Sequence, residues 1–121
     1  MNTPTLSTQN DITRPPAWAV LQHGLITRTP VHVHYHGHER LLCPHALGFK
    51  NGRAKVLSYQ AAGSTSNTTL PHDPRQRWRS MFTDEIEDPT ITNATWETAD
   101  NYTPTHNGID QLDIEITTHH H

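Results

Sequence analysis

The chain has 121 residues, enough for one domain, and only 32% of them are apolar, so a small hydrophobic core is expected. Nine basic and twelve acidic side chains give a formal charge of -3, which argues against a polybasic protein that coats nucleic acid. The apolar runs are far shorter than the roughly 20 residues that cross a bilayer, so we expect no membrane span. With a single cysteine, Cys43, and no visible secretory signal, the cytoplasm is the expected compartment.

The first predicted elements are a polar arm and a helix. Residues 1–14 are rich in Thr, Asn, Ser and Gln and predict a disordered arm. Pro15 and Pro16 favour a helix start, because the first helical turn has no internal use for the amide that proline lacks. Apolar residues at helical spacing continue the helix to about Thr29, ahead of Pro30.

Strand-like segments with turn signals between them make up the rest of the chain. They lie at 31–35, 40–47 with an interruption at Pro44, 54–60, 77–83, 90–92 and 112–116. Asn51-Gly52 is typical of a hairpin turn, and the acidic residues 84–88 are predicted to form a connector. One helix followed by five or six short strands predicts a mainly β fold, a small barrel. A single domain is expected over 15–117, with 118–121 the remainder of a purification tag.

Histidines occupy alternate positions in and after the predicted strand at 31–35. His32, His34 and His36 fall on one face, because successive side chains of a strand point to opposite faces. Imidazoles at this spacing can bind Zn²⁺, Ni²⁺ or Cu²⁺, and Glu39 is the local carboxylate that could complete a site. The alternative is a polar strand face that uses histidine without any metal. No cofactor is expected, and metal binding by these histidines is kept as an alternative function.

A second group of candidates surrounds the polar loop at 61–75. Gly63 permits a tight turn, and the Ser64 hydroxyl with neighbouring backbone N–H groups can surround a phosphate or carboxylate. Arg79 lies on the next predicted strand, where its guanidinium could add a bidentate charge-assisted bond. The pattern indicates an anion site, with an ordinary flexible loop and a surface arginine as the alternative.

The order of several short motifs resembles that of a WYL domain in its short stand-alone form, over residues 20–87. The similar motifs are a strand with a central Tyr35, Arg40 before a Pro44-His45-x-x-Gly48 turn, a strand that ends in Tyr59-Gln60, and a strand with Arg79, Asp84 and Ile86. The resemblance implies an SH3-like or Sm-like barrel. It also implies a ligand-sensing accessory module of a bacterial or phage regulatory or defence system, with a nucleotide or single-stranded nucleic acid as the ligand.

The same resemblance implies a pocket built from several strands. Arg79 and His45 would form its polar centre. Its other candidate residues are Tyr59, Gln60, Ser64, Arg40, Arg77 and Trp78. Trp78 could stack on a base or pack in the barrel core.

No P-loop, nucleophile or metalloprotease motif is present, so an enzyme is not expected. The chain shows no helix-turn-helix pattern, so reading duplex DNA would require a protein partner or a homodimer. A structural barrel that binds another protein is a further alternative function.

Overall fold

The computed structural model describes residues 16–63, 70–103 and 108–116. It contains one helix, six strands and two short 3-10 helices, Pro74–Gln76 and Thr83–Glu85. The helix is α1 (Pro16–Thr27), and the strands are β1 (Val31–Tyr35), β2 (His38–Lys50), β3 (Arg53–Gly63), β4 (Trp78–Phe82), β5 (Ile86–Ile91) and β6 (Gln111–Glu115). The predicted mainly β fold with an N-terminal helix is confirmed. The predicted arm at 1–14 and the tag at 118–121 lie outside the described residues.

Helix α1 ends slightly before the predicted position. Arg28 has a left-handed φ of 55°, and the backbone N–H of Thr29 donates to the carbonyl of Gly24 at 2.8 Å, a typical helix C-terminus. The buried residues of α1 are Ala17, Trp18, Leu21, Gly24 and Leu25. They pack against β2 and β5, so the helix covers one face of the sheet.

Strand β2 is the centre of an antiparallel sheet with the order β4-β3-β2-β1-β5. One edge of β2 pairs with β3 over nearly its whole length. Its other edge pairs first with β1 and then with β6. Among the described residues, β4 and β5 are not paired with each other, so closure of the sheet into a barrel stays a prediction.

Two predicted strand boundaries are different in the structure. Strand β2 continues through Pro44, because the register with β3 shifts between Pro44 and Ala46, and such a bulge accommodates a residue without an N–H. The predicted acidic connector at 84–88 is part 3-10 helix and part strand, since β5 begins at Ile86. The β5 segment is mostly exposed and lacks apolar alternation, so its pairing with β1 was not predictable from its pattern.

The main apolar cluster lies between α1 and the inner face of the sheet. Its members include Leu21, Val33, Leu42, Leu47 and Val56, each fully buried. No helix among the described residues is long and apolar enough to cross a membrane.

Substitution of Gly48 tests the pairing of β2 with β6. A Cβ atom at this position would lie 2.4 Å from the Gln111 carbonyl oxygen and 2.7 Å from an Ile109 methyl carbon. We expect Gly48→Ala to lower the free energy of unfolding by about 2 kcal/mol, the usual scale of steric overpacking. Ile26→Ala is the control, because Ile26 is 59% exposed. Urea denaturation of both variants checks this, and equal stabilities would contradict the β2–β6 pairing.

Candidate functional site

The inner face of the sheet is apolar under α1 but polar near the ends of β2 and β3. Residues that are paired across antiparallel strands share a face, and Ser58 is paired with Pro44 on β2 and with Arg79 on β4. Gln60 is paired with Leu42, which belongs to the main apolar cluster. Alternation along β2 places Arg40 on the same face as Leu42. Four polar side chains, Arg40, Ser58, Gln60 and Arg79, therefore line one end of the inner face.

Arg40 is a buried cation that has no acidic partner among the described residues. Its side chain is only 4% exposed, and its guanidinium lies over the Tyr35 ring, 5.0 Å from the centroid. One terminal nitrogen donates a long hydrogen bond of 3.5 Å to Gln60 Oε1, and the buried Nε atom has no partner. Burial lowers the pKa of Arg40, and the charge of Arg79 lowers it further. Arg40 and Arg79 thus place like charges on the same polar end of the inner face.

Arg79 occupies the more accessible side of this polar end. Its side chain is half-buried, and burial lowers its pKa. One terminal nitrogen donates to the carbonyls of Gln76, at 3.2 Å, and Trp78, at 3.0 Å. Neither Arg79 nor Arg40 forms an ion pair with a carboxylate in the part of the chain that the structure describes. Arg40 and Arg79 thus bring two positive charges to one end of the inner face, which also carries the neutral polar side chains of Ser58 and Gln60.

The opposite face of β3 and β4 carries Tyr59 and Trp78. Tyr59 is 2% exposed and meets Trp78 edge-on, with ring centroids 5.3 Å apart. Arg77 donates from Nε to the Pro71 carbonyl at 2.8 Å. The indole N–H of Trp78 donates to Asn101 Oδ1 at 2.8 Å. Tyr59 and Trp78 are therefore held in a packed network on the side away from Arg79, and Arg77 is held by the Pro71 carbonyl.

His45 lies in the same aromatic network. Its ring stacks on Trp96 at 5.0 Å between centroids, and it meets Trp78 edge-on at 4.8 Å. Its Nδ1–H donates to the Cys43 carbonyl at 2.7 Å, and its Nε2 lies 2.8 Å from the Thr98 hydroxyl. Both ring nitrogens are therefore occupied. Burial lowers the pKa of His45 to about 4, so the ring is neutral at physiological pH and adds no charge for an anion.

The WYL resemblance implies that His45 and Arg79 form the polar centre of one pocket, but the structure does not bring these two side chains together. His45 contacts Trp78, and Arg79 follows Trp78 in β4, so its side chain starts from the opposite face. Arg79 instead shares the inner face with Arg40, another of the predicted pocket residues. Ser58, a fully buried residue with an unpartnered hydroxyl, was not predicted. The only feature of the sequence that could have indicated Ser58 as a site residue is its position two residues before Gln60, on the same face of the strand. The predicted Ser64 lies outside the described residues.

The three predicted metal-binding histidines do not form one group. His36 lies in the β1–β2 turn with a positive φ of 51°, and its Nε2 bonds to Glu85 Oε1 at 2.8 Å. His32 and His34 remain on the outer face of β1, next to Glu39. As the side chains stand, the described residues contain no group of three or more His, Cys, Asp or Glu side chains arranged to hold a metal ion. His36 therefore lies apart from His32 and His34, and the three histidines do not form the alternative metal site together.

Comparisons with known proteins provide no relative of this chain. No family model, no curated protein and no solved structure matches it. The WYL resemblance therefore rests on the motifs described above.

The buried imidazole of His45 predicts a pH-dependent stability. Its pKa is about 4 in the folded protein and about 6.5 when unfolded, so the unfolded chain binds the proton first as the pH falls. The free energy of unfolding should therefore fall by about 3 kcal/mol between pH 7 and pH 4 because of this group.

The test compares wild type with His45→Phe, which keeps a ring but cannot titrate. Denaturant unfolding at several pH values measures both proteins, and the acidic side chains titrate equally in each. The variant should be less stable at pH 7, because the Cys43 carbonyl and the Thr98 hydroxyl lose a partner. Its stability should decline less on acidification than that of wild type. Parallel declines would contradict a buried neutral imidazole.

Proposed function

We propose that this protein is a non-catalytic module that binds a nucleotide or a single-stranded nucleic acid through Arg40 and Arg79. The observation that carries the proposal is the buried Arg40 guanidinium, which has no carboxylate partner among the described residues and shares one end of the inner face with Arg79. The WYL resemblance supports the same ligand class. It further suggests a cytoplasmic accessory module of a bacterial or phage regulatory or defence system.

The physical argument starts from the cost of an unpaired buried cation. A charge removed from water is strongly unfavourable unless an opposite charge or several hydrogen bonds compensate it. Arg40 has one long hydrogen bond and one ring contact, and Arg79 adds repulsion. An anion placed between the two arginines would relieve both the desolvation and the repulsion.

Phosphate is the anion that suits two guanidinium groups best. Arginine presents its donors in a planar fork that binds phosphate oxygens bidentately, and the Ser58 hydroxyl is a free additional partner. The net charge of -3 excludes a large contribution from bulk attraction. Affinity for a single-stranded oligonucleotide should therefore depend only moderately on salt, with a logarithmic slope of about -0.7 to -1.4, as expected for one or two contacted phosphates.

A binding module of this kind requires a second component to produce a response. We propose a protein partner or a second copy of the chain for that role. A structural barrel that binds another protein, with no small ligand, is the competing function. Stable partner binding together with flat titrations against nucleotides and oligonucleotides would favour it.

The role of Arg79 in binding can be tested by substituting it and, as a control, a nearby arginine outside the proposed site. Arg75 is exposed and lies 3.9 Å from Asp73, so Arg75→Gln removes the same charge outside the proposed site. We expect Arg79→Gln to weaken binding of a short single-stranded oligonucleotide by at least about 10-fold, because a hydrogen bond to a charged group contributes roughly 1.5–3 kcal/mol. Arg75→Gln should bind like wild type. Fluorescence anisotropy measures both, and equal losses would remove Arg79 from the site.

Substitution of Arg40 distinguishes a ligand-binding role of this residue from a structural one. We expect Arg40→Met to keep or raise the free energy of unfolding, because an apolar side chain of similar size avoids the buried charge. The same variant should lose oligonucleotide binding. Urea denaturation and anisotropy are measured on the same sample. A clear loss of stability would instead assign Arg40 a structural role.

A further inference from the structure

The outer face of the β1–β2 hairpin carries two histidines and a glutamate that the proposed anion site does not use. Hairpin register pairs His34 directly with Glu39, and His32 lies two residues before His34 on the same face. Directly paired residues have Cβ atoms about 5 Å apart. The backbone therefore brings these three side chains together, and all three are accessible, with exposed fractions of 37% for His32, 39% for His34 and 69% for Glu39.

The distances between these side chains match those of ligands on one metal ion. Two ligand atoms bound tetrahedrally to Zn²⁺ are about 3.3 Å apart, and two bound imidazole rings have centroids about 5 Å apart. Here the His32 Nε2 to Glu39 Oε1 distance is 3.1 Å, and the His34 Nε2 to Glu39 Oε2 distance is 3.7 Å. The two imidazole centroids are 5.5 Å apart.

A second, independent observation concerns the other nitrogen of His34. A histidine that binds a metal through one nitrogen usually donates its other N–H to a carboxylate, which orients the ring. His34 Nδ1 is buried and has no hydrogen-bond partner, and it lies 3.8 Å from Asp88 Oδ2. Asp88 has a positive φ of 50°, an uncommon conformation for a residue with a side chain. Strand β5 thus holds a carboxylate on the side of His34 that faces away from Glu39.

We propose that His32, His34 and Glu39 bind a divalent transition-metal ion such as Zn²⁺, with Asp88 as the carboxylate that orients His34. As they stand, the three side chains contact one another and do not form a metal site, because Glu39 accepts a hydrogen bond from His32. Metal binding replaces that hydrogen bond, and small rotations of accessible side chains bring the three ligand atoms onto one ion. Water completes the coordination, since only three protein ligands are available.

The test is titration of the full-length protein with Zn²⁺ by calorimetry, in a background where His119, His120 and His121 are changed to alanine so that they cannot bind the ion. We expect one Zn²⁺ per chain in this background. His34→Ala and His32→Ala should abolish stoichiometric binding, and Asp88→Asn should weaken it about 10-fold, the usual effect of removing an orienting carboxylate. Thermal unfolding with and without Zn²⁺ provides a second readout, because an ion bound only by the folded state raises Tm.

The matched control is His36→Ala, which removes an imidazole two residues from His34 whose partner is Glu85. It should bind Zn²⁺ as the background does. Circular dichroism shows that each variant is folded before titration. The proposal is overturned if the background protein binds no stoichiometric Zn²⁺, if His34→Ala binds equally well, or if His36→Ala loses binding to the same extent. Oligonucleotide binding by Arg40 and Arg79 is measured separately, so its outcome leaves this test unaffected.

Discussion

The hydrogen-bond ladder of β2 is the interaction on which the other features of this structure depend. One edge of β2 is occupied by β3, and the other is divided between β1 and β6. The backbone groups of this central strand are therefore paired, which allows a chain with few apolar residues to bury them. The same ladder fixes the register of the neighbouring strands. Each candidate site is a consequence of that register.

The β1–β2 hairpin separates two kinds of chemistry onto its two faces. Tyr35 and Arg40 lie on the inner face, where the guanidinium covers the ring. His32, His34 and Glu39 lie on the outer face. A single residue of register shift would exchange the faces, so the buried cation and the histidine cluster depend on the same turn. The positive φ values of His36 and Gly37 are typical of the tight turn that sets this register.

The aromatic network around His45 connects segments that are far apart in the sequence. Trp78 from β4, and Trp96 and Tyr102 from the segment after β5, all contact the His45 ring. The Tyr102 hydroxyl donates to Glu115 of β6 at 2.8 Å, so the network also connects the last strand to the sheet. A neutral imidazole with both nitrogens bonded suits such a packed position. A charged imidazole would need a counter-ion there, which explains its low pKa.

The sequence alone determined the local features of this protein. Proline placement and apolar spacing predicted the helix, and the alternation of Val31, Val33 and Tyr35 with histidines predicted β1. Asn51-Gly52 predicted the β2–β3 turn, where both residues have positive φ. These features depend on neighbours within a few residues, and local steric preferences decide them.

Only the tertiary structure decided which distant side chains meet. Arg79 shares the inner face with Arg40, and His45 is enclosed by aromatic rings, because a one-residue offset along β4 sends Trp78 and Arg79 to opposite faces. Glu39 meets His34 through hairpin register, and Asp88 reaches the same ring from β5, a strand whose exposed sequence gave no periodic signal. Such contacts depend on strand order and register, which follow from the packing of the whole sheet and are not encoded in any single segment.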